Sequence, residues 1–362
     1  AASSGSSEDV QGVIVVASGR DVTGKNGIRQ QLIDAWNLRQ QRANTGFSAR
    51  LVELPGSADE QRSQLLGALQ SGSADYDVVN LDVTWVPEFA AAGLIRTLPK
   101  GLVDADVIPS VAETAWWDGE VYAAPFNSDV GLLYYRRDYL RQAGVHPVEL
   151  GEDTTWDDLR DVTDALDSHL TADAYDKGWT TQLAAYEGRT VNAVEAFASA
   201  VKDFALVDED GHYTADTADL TAGIGELRRR TEPPYTLQDA AHSDEAASVS
   251  DFAEGRSAFL RHWPYVYPTL HRTFTKEQLG VAPLPGRAVL GGQNLAVTQG
   301  SQRATKATEL IEFLTGRESE RCLLDAGFAA TRTSAYGDGV RCPAAAAGPS
   351  ASPTGEGAAD RV

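Results

Sequence analysis

Three short stretches place aromatic side chains beside acids, glycine or other polar residues: Asp82-Val83-Thr84-Trp85, Ala185-Tyr186-Glu187-Gly188 and His262-Trp263-Pro264-Tyr265. Sugars present apolar ring faces bordered by hydroxyls. A sugar site therefore needs flat aromatic platforms for the faces and charged donors or acceptors for the hydroxyl rim. Trp and Tyr are also good core residues, and one standing singly is more often core than site. The combination with acids is what points to binding. Other chemistry finds little support. No Gly-x-Ser-x-Gly elbow, P-loop, His-Glu-x-x-His or dinucleotide glycine fingerprint is present. His262 and His271 lack a third ligand at metal spacing, so no metal and no cofactor are expected. Asp208-Glu209-Asp210-Gly211 starts like a calcium loop, lacks the closing Glu, and reads as a solvated turn. The 52 Asp and Glu offer no specific acid/base pair.

The elements that must carry these residues follow from apolar patterning. Gly12–Ala17 is a short apolar strand; Ile28, Leu32, Ile33 and Trp36 recur at helical spacing; Ser48–Leu54 is a second strand. Ser57-Ala58-Asp59-Glu60 has the form of a capping box and opens a helix with Leu65, Leu66 and Leu69. Tyr76–Leu81 is a third strand. The order β-α-β-α-β predicts an open parallel sheet covered on both faces, with ligands at the carboxyl ends of its strands. The candidate loops are then Ser18–Arg20 and Asp82–Trp85. The middle of the chain is rich in helices, starting from the Thr155 cap. Leu279–Leu284 and Gln293–Thr298 are late strands.

The 362 residues fit two domains. A net charge of -21 argues against nucleic acid as a partner. No run approaches the ~18 apolar residues of a bilayer span. The first nine residues read as a flexible tether, either a frayed end or a link to a lipid anchor, and residues 343–362 as a disordered tail. Cys322 and Cys342 flank the last segment before that tail. Either they form a disulfide closing a loop of about 20 residues, worth about 3 kcal/mol in the chain-entropy picture and implying an oxidising compartment, or they are two separate thiols.

Four stretches in order resemble the extracellular solute-binding proteins of bacterial ABC importers, in the branch that takes up maltose and trehalose. They are Glu53–Leu69 with Tyr76–Trp85; Val121–Phe126 running into Asp129 and Gly131–Arg136; Ala185–Gly188 with Val191-Asn192; and Gly255–Phe259 through Trp263-Pro264-Tyr265, followed by Gly291–Val297. The resemblance covers about residues 12 to 336. It implies an α/β two-lobe periplasmic-binding-protein-like fold with a hinged interdomain cleft, the chain crossing between lobes more than once. One lobe would be 10–126 plus 289–322 and the other 129–280 plus 328–342. Hinges are expected near Asn127–Ser128, Pro283–Leu290 and Asp325–Gly327. It also implies a non-enzymatic, extracytoplasmic, lipid-anchored monomer that delivers a disaccharide or short oligosaccharide to ABC permease subunits.

By the same resemblance, Asp82 and Asp129 would accept sugar hydroxyls from the two lobes, with Trp85 nearby. Tyr186 and Glu187 match the branch's tyrosine-glutamate-glycine stretch. Trp263, with Tyr265, would form the stacking platform. Gly291 and Gly292 would let backbone approach the ligand, and Arg332 matches a basic residue of a late loop. Gln293 stands where an aromatic is common, which trades stacking for hydrogen bonding. Ala329-Ala330 replaces leucine-proline before Thr331-Arg332. A ligand-sensing domain for a membrane receptor would look the same in sequence. A glycosidase would need two carboxylates about 5–10 Å apart across the scissile bond.

Overall fold

The computed structural model of the chain describes residues 8–19, 27–151, 153–201, 204–205, 212–286 and 291–346. Residues 1–7 and 347–362, Asp208–Gly211 (expected as a turn), Arg20 and residues 287–290 of the expected second hinge lie outside the described residues. The first half runs β1 (Gly12–Gly19), α1 (Ile28–Arg42), β2 (Phe47–Leu54), α2 (Ala58–Gln70), β3 (Val78–Asp82), α3 (Val86–Ala91) and α4 (Pro109–Ala112). A two-residue-per-strand hairpin, β4 (Trp116–Trp117) with β5 (Glu120–Val121), leads to β6 (Ala124–Ser128). Ser57 caps α2 by accepting from the Glu60 N–H, as its spacing predicts.

The second half runs β7 (Leu132–Arg136), α5 (Arg137–Gln142), α6 (Trp156–His169), β8 (Lys177–Thr180), α7 (Glu187–Ala200), α8 (Thr217–Thr231), α9 (Glu245–Ala253), β9 (Ser257–His262), α10 (Tyr267–Thr273) and β10 (Leu279–Pro283). Thr155 and Asp158 form a reciprocal capping box at the start of α6. The chain ends with β11 (Gly292–Val297), α11 (Ala304–Leu314) and α12 (Arg317–Asp325).

Two sheets define two lobes: five strands in the order β2-β1-β3-β11-β6, and four in the order β10-β7-β9-β8. Period-two alternation serves both faces of each sheet. Val16, Val78 and Leu295 face a core closed by α1, α11 and α12, while Ala17, Val79 and Ala296 face one closed by α2 and α3. In the second lobe Leu132 and Tyr134 point one way and Leu133 and Tyr135 the other.

The parallel sheet expected from the β-α-β order holds only for β1, β2 and β3. β11 lies antiparallel to both β3 and β6. The chain leaves this sheet at Ser128 and returns at Gly292, and these residues pair. Leaving and returning at one end forces the returning strand to run backward. Beside this exit and return a third pass occurs, where Ser128 and Ala329 exchange backbone hydrogen bonds at 3.2 and 3.3 Å. α12 spans the junction: Cys322 and Leu323 pack in the first lobe and Leu324 in the second.

Both ends of the body are tied down. Asp9, expected within the tether, accepts from the backbone N–H of Lys306 at 2.7 Å and of Thr305 at 3.4 Å. It caps α11, whose preceding residue Arg303 makes no side-chain cap. Cys322 and Cys342 form a disulfide, with Cα atoms 4.7 Å apart. Residues 343–346, expected in the disordered tail, form a 3₁₀ turn. Its Ala344 is buried in the first-lobe core, because the disulfide delivers the chain there.

Candidate functional site

The first group of polar side chains gathers where the chain crosses between lobes. β3 ends on Asp82, whose Oδ1 accepts from the Thr84 N–H at 2.9 Å and the Thr84 hydroxyl at 2.7 Å. This caps the short turn carrying Trp85, whose ring lies 6.5 Å from that of Phe89. Gln293 stands opposite Asp82 on one side and Asn127 on the other. The Asn127 amide donates to Gln293 Oε1 at 2.6 Å; Arg29 donates to Asn127 Oδ1 at 2.6 Å and to Ser18 Oγ at 3.2 Å. Gln293 is buried, so its polarity serves this chain of bonds.

Asp129 follows the first crossing. Its side chain is exposed, and among the described residues no group donates a hydrogen bond to it. Surrounding protein nevertheless pushes its carboxyl up; Arg29 pulls it down and the neighbouring Asp82 pushes it up again. Burial of the surroundings disfavours the charged form of this carboxyl. Gly291 accepts from the Asp129 N–H at 3.2 Å, and a Cβ on Gly291 would stand 3.3 Å from the Asp129 Cβ.

The second group lies on the facing lobe. Trp263 follows β9, and its indole N–H points at Glu245 Oε1, 3.4 Å away. Tyr186 precedes α7. Burial and the same Glu245 carboxylate raise its hydroxyl well above the usual tyrosine value. Tyr265 is 48% exposed and meets His262 edge-on at 5.5 Å. Its backbone lies 3.2 Å from where a Cβ on Gly327 would be, which places it beside the third crossing. Glu187 opens α7; its side chain lies outside the described atoms.

The two groups adjoin. Gly131, two residues after Asp129, packs directly on the Arg261 guanidinium, and Leu132 pairs with His262. Asp82, Asp129, Gly291, Gly292 and Gln293 thus come together on one side, with Tyr186, Trp263 and Tyr265 on the other. Trp85 leans into the first-lobe core. Arg332, expected on the ligand, joins neither group. Its guanidinium is buried on Asp104 at 2.8 Å and the carbonyls of Thr315 and Leu102 at 2.6 and 3.2 Å. Those acceptors lie far from it in sequence, so only the fold reveals the assignment. Glu245 was not singled out by the sequence. Asp244-Glu245 reads as a helix start, and Asp244 does cap α9.

His262 ties the backbone of Trp263 to that of Glu245. Its Nδ1 accepts from the Trp263 N–H at 2.8 Å. Nε2 is then the donor to the Glu245 carbonyl at 3.0 Å, so the bonded ring is neutral. Burial lowers the imidazole to about 4, the Glu245 carbonyl opposing it and the Arg261 charge adding to it. An unfolded His protonates near 6.5, so the unfolded state binds more protons between those values. This group's contribution is complete above about pH 6.5 and is lost as pH falls toward 4, on the order of 3 kcal/mol in all. Urea unfolding from pH 7 to 4 should show a steeper loss in the native chain than in His262→Gln. Equal slopes would remove the assignment.

The profile of bacterial extracellular solute-binding proteins matches residues 39–346. A probable ABC transporter-binding protein of Deinococcus radiodurans is 27% identical over 318 residues, 84% of this chain and 73% of that protein. The maltose-bound MalE3 of T. maritima is 26% identical with a TM-score of 0.51, covering 90% of this chain and 83% of that one. The sugar-binding protein MalE of Xanthomonas citri shares the fold at a TM-score of 0.61 and 22% identity, over 90% of this chain and 80% of that one.

Proposed function

Because the chain belongs to the bacterial extracellular solute-binding proteins, we propose that it captures a sugar between its lobes and delivers it to the membrane subunits of an ABC importer. The cargo is a disaccharide or short oligosaccharide of the maltose or trehalose kind. The observation that carries this reading is the pairing of Trp263, Tyr265 and Tyr186 on one lobe with the unbonded Asp129 carboxylate and Asp82 at the crossings. Aromatic faces take the apolar sides of a sugar ring, and carboxylates take its hydroxyls. The maltose-bound relative supports the same class. Contacts from both lobes favour the closed form, which the importer would read as a population shift.

A thermal-shift screen against mono-, di- and oligosaccharides, amino acids and peptides tests it. At a hundredfold excess over Kd, a ligand of the folded state adds about 2.7 kcal/mol, which moves the melting midpoint by a few degrees. A shift with an α-linked glucose disaccharide is expected. A shift only with another solute class would leave the fold and remove the sugar. Steady release of glucose during incubation would instead favour a glycosidase working with a pair of cleft carboxylates.

A further inference from the structure

Beneath Trp263 lies a buried ionic network centred on Arg261. Arg261 is 1% exposed and is among the largest fully buried side chains of the chain. Its Nη2 donates to Glu195 Oε1 at 2.6 Å, its Nε to both Glu195 oxygens at 3.1 and 3.2 Å, and its Nη1 to Gln182 Oε1 at 3.1 Å. Gln182 in turn donates to Ser248 Oγ and to the Arg261 carbonyl, both at 2.8 Å. The guanidinium carbon sits 4.1 Å from the centroid of the Trp263 ring. One face of the indole is therefore covered by a cation whose donors are directed to α7 and to Gln182. Trp263 is half-buried, and the face opposite the cation is where a sugar ring would stack. Gly131 forms part of the same seat: a Cβ there would come within 2.6 Å of Nε and Nη2.

We infer that Arg261 is a positioning residue for ligand binding: held by Glu195 and Gln182 and seated against Gly131, it sets the plane of the Trp263 platform. The claim rests on the sugar-binding reading of the cleft. A buried ion pair contributes little net stability against an apolar replacement of the same shape, so its use here is geometric. A bidentate guanidinium is fixed in plane as well as in place, and a ring stacked on it inherits that plane. Lysine would keep the charge and lose the plane.

The test uses the full chain with maltose as the probe, in Arg261→Lys, Gly131→Ala, and the paired Arg261→Met with Glu195→Gln, which leaves no charge unpaired. Acrylamide quenching of Trp263, read as each protein minus its Trp263→Phe counterpart, reports the ring without any ligand. The expected result is increased quenching and at least about tenfold weaker maltose binding in all three, with far-UV circular dichroism unchanged. Gly131→Ala displaces the guanidinium without deleting either charge, so it separates placement from loss of the pair. Unchanged quenching in folded Arg261→Lys and Gly131→Ala would overturn the inference. A native chain that ignores maltose would count against maltose as the cargo, while the quenching comparison would still decide whether Arg261 sets the placement of Trp263.

Discussion

Trp263→Ala should weaken binding of the best disaccharide from the thermal screen by at least about 30-fold, corresponding to roughly 2 kcal/mol. Trp263 combines three features that concentrate binding energy. Its ring is large and apolar, its rear is immobilised by Arg261 at 4.1 Å, and its indole N–H is directed to Glu245. A rigid platform loses little entropy when a sugar stacks on it. Titration calorimetry on Trp263→Ala and Trp263→Phe checks this, with Phe expected to retain more affinity than Ala. Removing the ring uncovers Arg261, so circular dichroism must show the fold retained before affinities are compared. An Ala variant binding within threefold of the native chain would remove Trp263 from the site.

Gly292→Ala should lower stability by on the order of 3 kcal/mol or more. Gly292 has φ of +129°, a conformation that residues with a Cβ rarely adopt. A Cβ there would collide with the Asn127 carbonyl oxygen and lie 2.8 Å from the Ser128 Cα. Both are backbone atoms of the paired strand, so relief requires opening the β11–β6 ladder where the chain returns to the first lobe. The neighbouring Gly291 gives the control. It has an ordinary φ, and its Cβ would meet only the Asp129 side chain, at 3.3 Å. Gly291→Ala should therefore melt near the native midpoint while weakening sugar binding through Asp129. Denaturant midpoints for the two variants decide it; equal midpoints would show that the return of the chain at Gly292 tolerates a side chain.

The first lobe was largely legible because its signals are local. Apolar strands alternate with helices of apolar periodicity, and the Ser57 cap forms as its spacing predicts; in the second lobe the Thr155 cap does the same. What was not legible depends on partners distant in sequence. Gln293–Thr298 reads as a strand, but nothing in it announces that Asn294 will face Leu81 and Leu295 will face Asn80. β7 and β9 are buried on every residue, so they carry no alternation to mark a face. The aromatic members of the site stood out by type. Glu245 and Arg261 did not, because an acid at a helix start reads as a cap and an arginine in a strand reads as an edge or surface residue. Arg332 shows the converse: a basic residue in a late loop satisfies the carbonyls of the body.

Strands β3 and β6 are not neighbours; β11 lies between them and pairs with each. Until residues 292–297 arrive, the first sheet is two fragments with open edges, one at β3 and one at β6. Every residue of the second sheet's four strands is made in that interval. The later lobe can thus assemble before the earlier one is complete. Pairings as distant as Asn80 with Leu295 give the first lobe a high contact order, and such closures are slow. Open strand edges invite pairing with other chains while they wait. Maturation of the first lobe is therefore governed by the last fifth of the chain, and a truncation before Gly292 would strand it as an aggregation-prone half-sheet.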